Sequence, residues 1–154
     1  MIDSQILKYK TRLDSLYART RELSDDPELL SEWAKYLYVL TSGFIEEYIR
    51  TLYIEYVAKR TNTNTARYAR AKLREFRNPK EERIYQLVNA FDPEWARSFR
   101  TEAEGELKDA VDSRTANRNA IAYGRDVNLT FIGLAGYYKK GLTLLKLLEG
   151  QVNA

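Results

Sequence analysis

The amino-acid sequence predicts an all-α fold, an up-and-down bundle of four to five main helices with a short, broken and basic middle segment. Apolar residues recur at spacings of three and four along most of the chain, which is the period of a helix buried on one face. Only three prolines and seven glycines interrupt the 154 residues, and alternating β-branched runs are hard to find. The length suits one compact core, so we expect residues 1–154 to form a single domain.

Two long helices are predicted at the start of the chain. Residues 2–23 carry apolar side chains at alternating spacings of four and three, which form the seam of a helix that packs on another helix. Asp26 can accept a hydrogen bond at an N-cap, and Pro27 suits a first helical turn, so the next helix begins there. Residues 27–60 contain no helix breaker except Gly43, which predicts one helix of roughly 50 Å.

The middle of the chain is predicted to be shorter and more broken. The polar residues 61–65 indicate a loop, and a basic helix over residues 66–77 follows it. That helix ends before Pro79, because a residue that precedes proline is disfavoured in helical geometry. A short helix is expected over residues 80–90, and Pro93 can open another turn or two.

Two more helices are predicted in the last third. Helical periodicity resumes over residues 102–124, where Gly124 is a natural C-terminal stop. A final helix follows from Thr130, a suitable N-cap, to about Gly150. We expect its three internal glycines to permit close helix packing: Gly133, Gly136 and Gly141.

Composition excludes several classes of chemistry. The chain has neither cysteine nor histidine, which rules out disulfides, zinc–thiolate sites, Ser-His-Asp and Cys-His relays, and a histidine general base. Catalysis must therefore use carboxylates, Lys, Tyr or Arg, and we expect no metal and no cofactor. No apolar run approaches roughly 18 residues and no secretory signal is visible, so we expect a soluble, cytoplasmic protein without membrane contact.

Positive charge is concentrated in the middle segment. The formal net charge is only +3, yet residues 59–83 carry nine Lys and Arg against three Glu. Such a face either contacts RNA phosphates or is simply solvated. Tyr68 and Phe76 lie among the charges and can stack on unpaired bases, although core packing explains Phe76 more simply. The RNA-binding hypothesis names these residues: Arg67, Arg70, Lys72, Arg74 and Arg77.

Tyrosine is unusually common, with twelve in the chain. Those on the second and last predicted helices suit an interface, where a ring is buried while its hydroxyl keeps a hydrogen bond. We therefore expect a homodimer. The tyrosines concerned are Tyr36, Tyr38, Tyr48, Tyr53, Tyr56, Tyr137 and Tyr138.

One segment departs from the amphipathic pattern and carries a family resemblance. It reads Arg118-Asn119-Ala120-Ile121-Ala122-Tyr123-Gly124. This segment resembles the signature of HEPN domains, an Arg followed after four residues by a His, commonly written Arg-Asn-x-Ile-Ala-His-Gly. Tyr123 stands where the His belongs, and the other six positions fit. Residues 43–50 and 76–91 resemble, in the same order, the second helix and the middle segment of the RiboL-PSP branch of that family.

The resemblance implies a four- to five-helix domain that dimerises, so that the Arg and His positions of both protomers line one cleft. Active members are metal-independent endoribonucleases, frequently toxins in toxin–antitoxin or phage-defence systems. The implied partners are RNA, a second copy of the chain, and an antitoxin or a nucleotidyltransferase. In this chain Arg118 and Asn119 would supply the cation and an orienting polar contact for the scissile phosphate.

Tyr123 is the departure with the largest consequence. A phenol with an ordinary pKa near 10 is protonated at neutral pH and is a poor general base, so a loss of ~10²–10⁴-fold in rate is expected. We hypothesise an inactivated form of a toxic ribonuclease. The alternative is a naturally non-catalytic helical module that binds RNA or another protein in a toxin–antitoxin or defence complex.

Glu46 and Glu47 are the candidate supporting residues. Neighbours on a helix point about 100° apart, so the two cannot form a facing carboxylate pair. One of them can orient Arg118, and the other then faces solvent or pairs with Arg50. The alternative for Arg118 is a purely structural ion pair with either glutamate.

Overall fold

The computed structural model describes residues 3–20, 22, 26–77, 79–103, 105 and 131–154. These residues form six α-helices and no strand, which confirms the all-α prediction. The helices are α1 (Ser4–Thr20), α2 (Pro27–Ala58), α3 (Thr63–Leu73), α4 (Glu81–Phe91), α5 (Pro93–Glu102) and α6 (Phe131–Val152). The helix predicted over residues 102–124 and its stop at Gly124 lie outside the described residues, as does Thr130.

Helix α2 organises the molecule. Its 32 residues extend about 48 Å, and α1, α3 and α6 all pack against it. Asp26 caps it as predicted, because its side chain accepts a hydrogen bond of 3.0 Å from the backbone N–H of Glu28. The helix ends two residues before the predicted boundary.

The core lies where α1 and α6 cover α2. Tyr17 stacks on Tyr138 at 4.9 Å between ring centroids, and Tyr38 stacks on Tyr137 at 5.6 Å. A Cβ at Gly141 would come within 2.7 Å of the Ile45 side chain, so that glycine lets α6 approach α2 closely. At Gly136 a Cβ would meet no atom within 4 Å among the described residues, so close packing at that glycine stays a prediction.

The middle segment differs from its prediction at both ends of α3. Residues 63–65 are not part of a loop, because Asn62 accepts a hydrogen bond of 2.9 Å from the Thr65 backbone N–H and starts the helix there. The helix also ends at Leu73, before the proline is reached. The Phe76 backbone N–H bonds to the Leu73 carbonyl, which tightens the chain and turns the Phe76 ring onto the core.

Helices α4 and α5 form a hairpin around Asp92. The Asp92 side chain accepts from the Glu94 backbone N–H at 2.8 Å and caps α5. Helix α5 then continues for ten residues, which is longer than the predicted turn or two. The extension is stabilised by burial of Phe99 and Ala96 on one face.

The interpretation of the tyrosines as an intermolecular surface is wrong for five of the seven. Those five are buried within this chain: Tyr38, Tyr48, Tyr53, Tyr137 and Tyr138. Tyr56 is half-buried against Phe91 and Trp95, and Tyr36 is exposed. Because the protomer itself covers these rings, they no longer argue for a dimer.

None of the helices within the described ranges has both the length and the apolar character needed to cross a membrane.

Candidate nucleic-acid interface

A groove of about 570 Å³ lies between the N-terminal part of α1, the middle of α2 and the C-terminal end of α3. Three of the five predicted RNA-binding residues line it: Arg70, Arg74 and Arg77. Arg70 belongs to α3, Arg74 is its C-cap residue, and Arg77 lies in the segment that follows the helix. Arg67 and Lys72 are exposed but do not line the groove, and Lys72 lies 5.8 Å from the ring centroid of Tyr68.

Arg50 links the α2 side of the groove to the end of α3. Its guanidinium donates to Glu47 at 2.6 Å, lies 3.2 Å from a Glu46 oxygen, and donates to the Phe76 carbonyl at 3.2 Å. The Arg50 side chain is only 13% exposed. The sequence predicts a single ion pair for this residue, whereas the structure gives it both carboxylates and a backbone carbonyl. Arg50 therefore ties the segment after α3 to α2.

Glu46 and Glu47 occupy different environments, as their positions on the helix predict. Glu46 is 4% exposed and is approached by Arg50 and, at 3.7 Å, by Arg77. Glu47 is exposed and binds Arg50 at the edge of the groove. The buried carboxylate is thus contacted by two guanidinium groups, which offset part of its desolvation cost.

The α3 side of the groove is positive, because Arg70 and Arg74 line it. They belong to a stretch, residues 59–74, that contains six Lys and Arg and no acid. Arg70 and Arg74 have no ion pair within 4.0 Å among the residues that the structure describes. An unneutralised cluster of this kind raises the local concentration of polyanions and can bind phosphate groups bidentately.

Two further carboxylates of the same groove are not predicted from the sequence. Glu55 lines it, together with Asp3, the residue before α1. The signal is present in the spacing, because Glu47, Thr51 and Glu55 follow each other at intervals of four and form one polar stripe on α2. In the sequence such a stripe looks the same as an ordinary solvent-facing one, and only the neighbouring helices distinguish the two.

The three motif residues lie outside the described residues: Arg118, Asn119 and Tyr123. Their mutual geometry, and any pairing of Arg118 with Glu46 or Glu47, therefore stay predictions.

Comparison with known proteins places the chain in a family. The family model described as RiboL-PSP-HEPN matches residues 4–154. No curated protein and no solved structure matches the chain. Because the matched region covers all six described helices and the segment between α5 and α6, the chain belongs to the RiboL-PSP-HEPN family.

Proposed function

We propose that the chain is built as a HEPN-type, metal-independent endoribonuclease, a toxin or phage-defence RNase, in which Tyr123 has replaced the catalytic His. The observation that carries the proposal is the family match over residues 4–154, since that range includes the Arg118-to-Tyr123 motif. The groove supports it, because it offers unneutralised arginines to a polyanion. In this proposal residues 1–154 form one domain that acts on cytoplasmic RNA as a homodimer.

The proposed roles follow from the chemistry of RNA cleavage by the neighbouring 2′-hydroxyl. That reaction needs a proton acceptor with a pKa near neutrality, a proton donor to the leaving oxygen, and a cation at the pentacoordinate phosphate. Arg118 supplies the cation and Asn119 orients the phosphate. Tyr123 can donate a hydrogen bond but accepts a proton poorly, so the chain binds RNA and cleaves it slowly.

Restoring the imidazole tests the catalytic part of the proposal. Tyr123→His should cleave a fluorophore-labelled RNA at least ~10²-fold faster than the parent chain, with no loss of rate in EDTA, and should arrest growth when expressed. The matched control is Tyr123→His combined with Arg118→Ala, which should return to the parent rate. A folded Tyr123→His chain that neither cleaves RNA nor arrests growth would contradict the proposal.

The second candidate is a non-catalytic module that binds RNA or a protein partner such as an antitoxin or a nucleotidyltransferase. The absence of any histidine from the sequence favours it, because no neutral general base is available to the chain as it stands. This candidate predicts that Tyr123→His leaves the chain inert while RNA or partner binding persists.

A further inference from the structure

The groove is lined by both cations and carboxylates, and the carboxylates are Asp3, Glu47 and Glu55. Arg70 and Arg74 line one side, and Glu55 of α2 lines another side of the same space. No ion pair within 4.0 Å joins Glu55 to either arginine, and Glu55 has no side-chain hydrogen bond among the described residues. Cations and a carboxylate thus line a common space, and no ion pair joins them in the described part of the chain, so a ligand in the groove can contact both.

The size and the surface of the groove restrict what that ligand can be. A volume of about 570 Å³ falls within the range of small-molecule sites, about 300–1,000 Å³. Half-buried Ile54 lies beside Glu55 in the lining and adds apolar surface next to it. A ligand that matches this lining carries negative charge for the arginines and hydrogen-bond donors for the carboxylate.

We propose that the groove holds one unpaired guanine nucleotide of an RNA strand, with its phosphate on Arg70 and Arg74 and the edge of its base on Glu55. An ionised carboxylate only accepts hydrogen bonds, and guanine offers it two adjacent donors, N1–H and the N2 amine. Adenine, cytosine and uracil each present fewer donors side by side. Unpaired bases in RNA are recognised on this Watson–Crick edge, whereas a duplex hides it.

This inference rests on the proposed function, because it names the nucleotide that the RNA-binding surface selects. It assigns Glu55 as the specificity residue and the two arginines as phosphate contacts. Phosphate contacts hold a strand without reading its sequence, so the preference for guanine has to come from the carboxylate.

Binding to short single-stranded RNAs tests it on the chain as it exists. The probes are labelled pentanucleotides that differ only at the central base, which is guanine, inosine or adenine. A bidentate base contact is worth about 5- to 150-fold in discrimination, so guanine should exceed adenine by that factor. Inosine, which keeps N1–H but lacks the N2 amine, should fall between them. Unlabelled GMP, added as a competitor, should displace the guanine probe only weakly, because it lacks the flanking strand.

Glu55→Gln provides the matched variant, because it is isosteric and removes only the charge. It should lose the preference for guanine while its affinity for the adenine probe stays the same or rises, since an amide can pair with adenine. Glu32→Gln, an exposed change elsewhere on α2, should keep the wild-type preference.

The outcomes separate the two proposals. Salt-sensitive RNA binding without base preference, or a preference that survives Glu55→Gln, overturns the guanine assignment alone. Absence of any RNA binding overturns the proposed function and this inference together. Strong displacement by GMP would assign the groove to a free nucleotide and overturn the assignment to a strand.

Discussion

Arginines on two surfaces of this molecule differ in whether carboxylates pair with them. In the α4–α5 hairpin, Arg100 lies 3.1 Å from Glu81 and 2.6 Å from Glu82, and its guanidinium stacks 3.5 Å from the ring centroid of Tyr85. On the groove side of α3, Arg70 and Arg74 have no carboxylate partner in the described part of the chain.

The difference shows which arginines the fold itself uses. Arg100 joins two helices and contacts Glu81, a carboxylate that is 5% exposed, so its charge contributes to tertiary structure. The arginines of α3 repel one another on one face, which costs stability by a few tenths of a kcal/mol per close pair. Charge that costs stability and has no internal partner is typical of a surface that binds an external anion.

The largest expected effect is on RNA binding. Changing Arg70→Gln and Arg74→Gln together should lower RNA affinity by about 10- to 100-fold at low salt, because two charge-assisted phosphate contacts are lost. The slope of log affinity against log salt should become shallower by about 1.4, and the free energy of unfolding should stay within about 0.5 kcal/mol. Fluorescence anisotropy over a salt series and urea denaturation measure the two quantities. Unchanged affinity would show that these arginines are only solvated.

In the α4–α5 hairpin we expect the opposite response, a loss of stability without a loss of RNA affinity. Arg100→Met removes two ion pairs and the stacking contact, so the free energy of unfolding should fall by about 1–2 kcal/mol. This loss is smaller than that for a fully buried ion pair, because the Arg100 side chain is 42% exposed. RNA affinity should not change. The matched control is Arg97→Met, whose pair with Glu94 is exposed on both sides and should cost less than about 0.5 kcal/mol. Equal losses in the two variants would contradict this contrast.

Alkaline pH tests the contribution of the tyrosines without changing that of the arginines, because arginine stays charged while tyrosine ionises. The pKa of Tyr138 is raised above its ordinary value, mainly by burial of the hydroxyl and to a smaller extent by its hydrogen bond to Asp14. A tyrosine whose pKa is higher in the folded than in the unfolded state stabilises the fold fully at pH values below the unfolded pKa, which is near 10. As the pH rises above that value the stabilisation is lost, at about 1.4 kcal/mol per pH unit.

Tyr138→Phe should therefore be less stable than the parent at pH 7 by about 1 kcal/mol, the value of a typical hydrogen bond, and the difference should shrink above pH 10. Urea denaturation from pH 7 to 11 measures it. The exposed Tyr36→Phe is the control and should track the parent at every pH. A difference that stays constant with pH would refute the assigned role of the Tyr138 hydroxyl.

Local signals in the sequence predict much of the fold. Asp26 and Pro27 start α2 as expected, because capping depends on residues two or three positions apart. The same principle makes Asn62 the start of α3, yet the polar composition of residues 61–65 favours a loop when that tract is considered by itself. Composition is a weaker signal than the position of one capping side chain.

The candidate site, like the fold, is predicted only in part from the sequence. The concentration of Lys and Arg in residues 59–83 indicates the basic side of the groove, since charge density is visible in the sequence. Glu55 is not predicted, because the groove that it lines forms only when α1 and α3 pack beside α2. Arg50 is predicted as a local ion pair, but its bond to the Phe76 carbonyl joins residues 26 positions apart.

The amino-acid sequence by itself determined the helical class, most helix boundaries, the basic segment and the family motif, because each depends on residues a few positions apart. Tertiary structure alone decided which arginines are neutralised, which tyrosines are buried, and which carboxylates line the same groove as the arginines. Ion pairing and burial are set by distances between residues far apart in the chain, and those distances exist only once α1, α3 and α6 have packed on α2.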